Sequence, residues 1–227
     1  MHIRVDPHPY PLLRRAFSLH GADPQRGTFD ILFKVVGTGT SVLSEKNPGE
    51  ALDLLGPLGN SFSIPKKTKE FVLVAGGMGI APLYFLARKL AQRRNKVTFF
   101  YGSKTEDEIL LSREFQSLNI SLKIATDDGT WGFKGLVTEF FEKGIKRGNL
   151  KNSVVYSCGP EPMLKKMTEL SRKYKFFCQI SLETHMPCGV GSCMGCVVKC
   201  RTSRNRIAYK RACKDGPVFD AQEVIFD

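Results

Sequence analysis

The sequence predicts an α/β protein: a parallel sheet flanked by helices, with a small all-β region before it and a cysteine-rich tail after it. Three observations predict this. Between residues 70 and 182, short apolar runs alternate with helical patterns, as in a parallel sheet. Before residue 65 the runs are short, β-like and broken by Gly and Pro. After Met186 the chain becomes a Cys/Gly-rich loop and then a basic tail.

In the first region, residues 2–5, 16–20, 28–36 and 51–55 read as strands of a small barrel or sandwich. Arg14-Arg15-Ala16-Phe17-Ser18 precedes the turn Gly37-Thr38-Gly39-Thr40-Ser41. An Arg pairs with a phosphate, and a Gly/Thr turn opening a helix offers N–H and hydroxyl donors to one. A surface cation pair and an ordinary β-turn account for the same residues.

In the second region, residues 70–75 read as a strand buried on both faces. The turn Gly76-Gly77-Met78-Gly79 follows, then a helix from Pro82 to about Arg94. Such a turn suits a pyrophosphate, and Pro82 suits a first helical turn. It lacks the G-x-G-x-x-G fingerprint, so a purely structural turn is an equal reading. Further strands are expected at 97–101, 122–126, 154–158 and 180–182, the last closing the sheet, with helices at 136–146 and 161–174. Cys158-Gly159-Pro160 forms a second strand-to-helix turn. Ligands of open α/β sheets bind outside the carboxyl ends of the strands, so the two turns are expected to face one site. Cys158 and Cys178 read as small buried apolar residues.

The tail carries the strongest local signal. Cys188, Cys193 and Cys196 are spaced C-x4-C-x2-C, with Cys213 further on. This is the plant-type spacing for a two-iron, two-sulfur (2Fe–2S) cluster. Gly189, Gly191 and Gly195 let a loop wrap closely around such a cluster. Zinc and plain buried cysteines are the competing readings, but zinc favours paired C-x2-C units and one is present. Cys200 competes with Cys213 for the fourth ligand position.

Composition bounds the rest. The 227 residues, 42% hydrophobic and 25% charged, suit one large or two small globular domains. No apolar run approaches the roughly 20 residues of a membrane span, and the start lacks the apolar core of a signal peptide. A cytoplasmic protein is expected. The net charge of +12 suits nucleic acid, an anionic cofactor or an acidic partner. Its densest group is Arg201, Arg204, Arg206, Lys210, Arg211 and Lys214, for which a solvated surface hairpin is an equal reading.

Together these segments resemble the ferredoxin–NADP reductase superfamily, in which a β-barrel binds FAD and a following α/β domain binds the nicotinamide. Arg15-Ala16-Phe17-Ser18 fits its flavin signature, R-x-[YF]-[ST]. Nearly the whole chain resembles one subgroup with a 2Fe–2S tail, the electron-transfer subunits of dihydroorotate dehydrogenases. The residues that carry this are Leu12-Leu13-Arg14-Arg15, Gly56-Pro57-Leu58-Gly59-Asn60, Ala125-Thr126-Asp127-Asp128-Gly129, Lys134-Gly135 and Ala212-Cys213-Lys214-Asp215-Gly216-Pro217-Val218-Phe219. The small subunits of NADH-dependent ferredoxin:NADP oxidoreductases and sulfide dehydrogenases share the layout. They carry Asp where this chain has Cys188. Two departures stand out. Ala16 replaces a Pro, and the family has further strands before residues 2–5, so the barrel is expected to lack its first strands.

The resemblance implies an FAD-binding barrel (1–65), an NAD-binding α/β domain (66–184) and a cluster-binding tail (185–227). It implies that Arg15, Phe17 and Ser18 hold FAD, that Leu32, Phe33 and Lys34 line the flavin, and that Gly39 and Thr40 take the pyrophosphate. Gly76, Gly77 and Gly79, with Gly159 and Pro160, would face the nicotinamide. Cys158 would lie near hydride transfer, and Cys188, Cys193, Cys196 and Cys213 would hold the cluster. The implied partner is an FMN-containing dihydroorotate dehydrogenase catalytic subunit, in a heterotetramer of two of each. Electrons would pass from that FMN through the cluster and FAD to NAD⁺, in pyrimidine biosynthesis, without nucleic acid or membrane. The reading from another class is a non-enzymatic metal-binding module that docks nucleic acid through its basic tail.

Overall fold

A computed structural model describes residues 1–6, 10–68, 70–147, 150 and 152–226. The first region holds strands β1 (His2–Arg4), β2 (Arg15–Ala16), β3 (Gly21–Asp23) and β4 (Thr28–Asp30), helix α1 (Thr38–Ser44) and strand β5 (Asp53–Leu55). β1 is the centre of an antiparallel sheet ordered β2-β1-β5, and β3 pairs with β4 as a separate hairpin. Among the described residues the first region is thus a three-stranded sheet beside a hairpin. Ile3, Val5 and Leu43 form its small core, with Phe17 and Phe33 packed alongside. The strand expected over 28–36 ends at Asp30 because Leu32, Phe33, Lys34 and Val36 line a cavity instead of joining a ladder.

The second region follows its predicted alternation: β6 (Glu70–Gly76), α2 (Ile80–Gln92), β7 (Lys96–Ser103), α3 (Ser112–Gln116), β8 (Ser121–Thr126), β9 (Phe133–Lys134), α4 (Val137–Arg147), β10 (Ser153–Cys158), α5 (Glu161–Tyr174) and β11 (Phe177–Ser181). Residues alternate across β6. Phe71, Leu73 and Ala75 pack against α2, while Val72 and Val74 pack toward α4 and α5. Burial on both faces explains why this strand reads as one unbroken apolar run. Helix α2 begins at Ile80, two residues earlier than expected, because a 3₁₀ turn over Gly77–Gly79 feeds directly into it.

With β14 (Val218–Asp220) from the tail at one edge, the sheet order is β14-β11-β10-β6-β7-β8-β9. From β6 the chain steps outward through β7, β8 and β9, then returns to β10 on the other side of β6. The strand order therefore reverses between β6 and β10, where open α/β sheets bind ligands. Residues 180–182 do not close the sheet: β14, from the tail, pairs antiparallel with β11. Before it the tail forms the hairpin β12 (Val197–Arg201) and β13 (Ile207–Arg211).

Asn60 locks the tail in place. Its side-chain amide donates to the carbonyls of Asp215 (3.1 Å) and Val218 (2.9 Å) and accepts from the Val218 N–H (2.9 Å). Its backbone N–H donates to the Gly216 carbonyl at 2.6 Å. Gly59 has φ +68°, and a Cβ there would lie 2.5 Å from that same carbonyl oxygen. Asn60→Ala therefore strands several backbone groups and is expected to cost about 2 kcal/mol, measured as a lower urea midpoint. Limited proteolysis should then cut the tail before the sheet.

Candidate functional site

One cavity of about 1010 Å³ joins all three regions. Its walls include every candidate of the first region: Arg15, Phe17, Ser18, Leu32, Phe33, Lys34, Gly39 and Thr40. Cys158 from the sheet and Cys213 from the tail also line it. Phe17 and Phe33 stack at a tilt, with ring centroids 5.5 Å apart, and give one apolar wall. At the other end Gly39 lies under the Arg15 guanidinium, where a side chain would collide with it. Arg15 also donates to the Leu13 carbonyl, which aims the guanidinium. Neighbouring Arg14 is tied to Asp53 at 2.5 Å, so the two arginines have different jobs. Thr40 caps its own helix, its hydroxyl accepting from the Val36 and Gly37 N–H groups. An apolar wall with a guanidinium in the same cavity suits a ring system carrying phosphates.

The two glycine turns meet at the switch point. Cys158 pairs with Ala75, so the ends of β10 and β6 lie side by side. Gly76 and Gly159 both pack on the Met163 sulfur, and a side chain on Gly79 would fall on the Cys158 carbonyl. Gly76, Gly77, Gly79, Gly159 and Pro160 are thus brought together as expected, outside the residues lining the cavity. Gly77 has open space around it and φ +51°. Cys158 is 2% exposed, and burial, helped by the Glu183 charge, pushes its thiol up to about 12. Burial thus favours the neutral thiol, a small polarizable group on the cavity wall. Glu183 also lines the cavity, where partial loss of solvent raises its pKa.

The four cysteines form two pairs. The Cys193 thiol lies 3.3 Å from the Cys188 sulfur, and the Cys193 N–H also points at it at 3.4 Å. The Cys213 N–H points at the Cys196 sulfur at 3.5 Å. Backbone N–H groups of Cys193 and Val190 bring Cys188 down to about 6, the thiolate side of neutrality. Burial first, then Cys196, pushes Cys213 up to about 11. Among the described residues no three His, Cys, Asp or Glu side chains are grouped to hold one metal ion. Two close pairs fit a two-iron cluster, which takes two thiolates per iron. Gly189 and Gly191 adopt φ +72° and +78°, as a wrapped loop requires. Cys200 lies elsewhere, fully buried on β12, paired with Ala208 and bridged to Val224.

Sequence reasoning missed several neighbours of this site. Arg211 donates to the Gly191 carbonyl at 2.6 Å and so anchors the cysteine loop. Lys210 pairs with Glu223 at 2.5 Å. The basic segment is a hairpin, and some of its charge is spent inside the tail. His2 and Thr184, on the cavity wall, carried no local signal at all.

The packing of the two turns can be tested. A Cβ on Gly79 meets backbone, which cannot rotate away, so Gly79→Ala is expected to cost about 1–3 kcal/mol in chemical denaturation. Gly77→Ala meets only its unfavourable φ and is expected to cost about 1 kcal/mol.

Comparison with known proteins places these features. Residues 183–225 match the iron–sulfur cluster binding domain of dihydroorotate dehydrogenase B, and residues 73–169 match the oxidoreductase NAD-binding domain. The chain is 37% identical over 227 residues to the dihydroorotate dehydrogenase B (NAD(+)) electron transfer subunit of Desulforamulus reducens, covering 100% of this chain and 86% of that one. It is 41% identical over 224 residues to the subunit of the same name from Caldanaerobacter subterraneus subsp. tengcongensis, covering 99% and 85%. Among solved structures, an NADH-dependent reduced ferredoxin–NADP oxidoreductase superposes with TM-score 0.85 at 32% identity, covering 99% of this chain and 77% of that one. Phthalate dioxygenase reductase shares the fold, with TM-score 0.62 at 21% identity over 94% and 65%. The chain belongs to the family of dihydroorotate dehydrogenase B electron transfer subunits.

Proposed function

We propose that this chain holds FAD and a 2Fe–2S cluster and passes electrons from the FMN of a dihydroorotate dehydrogenase catalytic subunit to NAD⁺, in pyrimidine biosynthesis. The observation that carries this reading is the single cavity. It runs from Arg15 and Gly39, past Cys158 at the switch point, to Gly189 and Cys213 on the cysteine loop. When bound, a cluster moves single electrons, a flavin gathers a pair and a nicotinamide accepts a hydride, so the flavin belongs between the other two.

The chain's own residues then divide the work. Arg15 offers a bidentate guanidinium to phosphate. Phe17, Leu32 and Phe33 exclude water from the ring, Ser18 and Lys34 give polar edges, and Gly39 and Thr40 admit the pyrophosphate. Gly76, Gly77 and Gly79, with Gly159 and Pro160, receive the nicotinamide, and Cys158 meets it as a neutral thiol. Cys188, Cys193, Cys196 and Cys213 ligate the cluster, Cys188 being already held near its ligand form. The working regions are 1–65, 66–184 and 185–227, with β14 returning the third to the second.

The partner reading is supported by the face around the cysteine loop. Val190 and Met194 are exposed there, and Ile207 and Tyr209 are exposed on the hairpin. Exposed apolar side chains rimmed by charge mark a protein interface. A heterotetramer of two of each subunit, in the cytoplasm, completes the proposal. No helix among the described residues is long and apolar enough to cross a membrane. A second reading is a small subunit of an NADH-dependent ferredoxin:NADP oxidoreductase, favoured by the 0.85 superposition. Cys188, in place of that family's Asp, favours the first.

Two measurements test this. Replacing Cys188, Cys193, Cys196 or Cys213 by Ser is expected to remove most iron and visible absorbance from anaerobically purified protein, while Cys200→Ser keeps both. A colourless wild type would favour the metal-module reading. Reversing Arg201, Arg204 and Arg206 to Glu, which spares the structural Lys210 and Arg211, should slow association with the catalytic subunit several-fold at low salt. At high salt the effect should shrink.

A further inference from the structure

Six buried side-chain polar atoms among the described residues have no hydrogen-bond partner within the protein: both ring nitrogens of His2, Ser103 Oγ, Ser153 Oγ, Thr168 Oγ1 and Thr184 Oγ1. The atoms of His2 and Thr184 stand apart from the others because these two residues line the cavity. A buried polar group without a partner is costly, so a native fold that keeps three such atoms at one site has a partner for them there.

His2 cannot turn away to find one elsewhere. It is 2% exposed and sits on the central strand of its sheet, paired with Ala16 on one side and Leu55 on the other. The Ala16 pairing places it beside the flavin signature. The Cε1 edge of its ring meets the cysteine loop: a Cβ on Gly189 would come within 2.5 Å of His2 Cε1, 2.6 Å of Nδ1 and 2.8 Å of Nε2. Gly189 directly follows Cys188. His2 thus stands where the flavin signature, the cavity and the cysteine loop come together.

We propose that His2 and Thr184 are hydrogen-bond partners of the flavin bound in this cavity, and that His2 holds the cysteine loop in place by packing on Gly189. This rests on the FAD reading above. The chemistry is suitable. Burial first, and then neighbouring positive charge, lowers the His2 pKa, which favours a neutral ring with one N–H donor and one acceptor. A threonine hydroxyl also both donates and accepts. A flavin ring edge presents alternating carbonyls and ring nitrogens and meets both needs. A hydrogen bond that differs between the oxidised and reduced ring also moves its reduction potential, which gives a readout independent of turnover.

The test uses the full chain with its cluster, purified anaerobically. FAD is titrated into His2→Phe, His2→Gln, Thr184→Val and wild type, and the flavin potential is read by spectroelectrochemistry. His2→Phe fills the space without polar atoms, and His2→Gln restores a donor and an acceptor. His2→Phe and Thr184→Val are expected to raise the FAD dissociation constant about tenfold. A tenfold preference between oxidised and reduced ring moves the two-electron potential by about 30 mV. His2→Gln should recover most of both effects. His2→Phe should also alter the electron paramagnetic resonance of the reduced cluster, whereas Thr184→Val should not. If Thr184→Val and both His2 variants bind FAD as wild type does, at an unchanged potential, the proposal is overturned and the FAD reading stands. If wild type itself binds no FAD, the reading and the proposal fall together. Thr184→Val and His2→Gln keep the test decisive should His2→Phe not fold.

Discussion

The return of the tail to the sheet is the constraint on which the rest of this molecule depends. Asn60 is its centre, satisfying donors and acceptors on both sides of the Gly216 turn. β14 then adds to β11, and the Leu182 N–H donates to the Pro217 carbonyl at 2.9 Å. The chain from 183 to 217 is thereby closed into a loop pinned at both ends. Cys188, Cys193 and Cys196 lie on its outgoing arm and Cys213 on its incoming arm. A sequence separation of 17 residues between Cys196 and Cys213 becomes a contact because the ends of the loop are fixed.

The same closure shapes the cavity. Residues 181–187 leave β11 along its wall, and the cysteine loop seats Gly189 on His2. Redox groups bound at the two places would be close neighbours held by one framework. Rigid surroundings keep such a spacing constant, and backbone N–H groups aimed at sulfur tune the potential of a cluster. Cys188 already receives such donors from Cys193 and Val190.

Charge is divided by position. Lys210 and Arg211 pair with Glu223 and Asp215, and Arg211 also reaches Gly191, so these two cations hold the tail together. Arg204 and Arg206, at the tip of the hairpin, are exposed and able to act on a partner at a distance. The hairpin thus serves as an internal brace at its base and as a charged surface at its tip.

Much of this was legible in the residues themselves. The parallel sheet is written in the alternation of apolar runs and helical patterns, since burial on both faces demands such strands. The cysteine spacing and the Arg15–Ser18 motif are local, because each is written in residues close together along the chain. Residues 28–36 misled because an apolar segment lining a cavity has the same composition as a strand. What the tertiary structure alone decided is everything that joins distant segments: Asn60 to Asp215, Val218 into the sheet, the pairing of four thiols two by two, and His2 against Gly189. Periodicity and spacing encode only neighbours along the chain. These contacts come instead from strand pairing and loop closure, which bring together residues whose sequences carry no mark of one another.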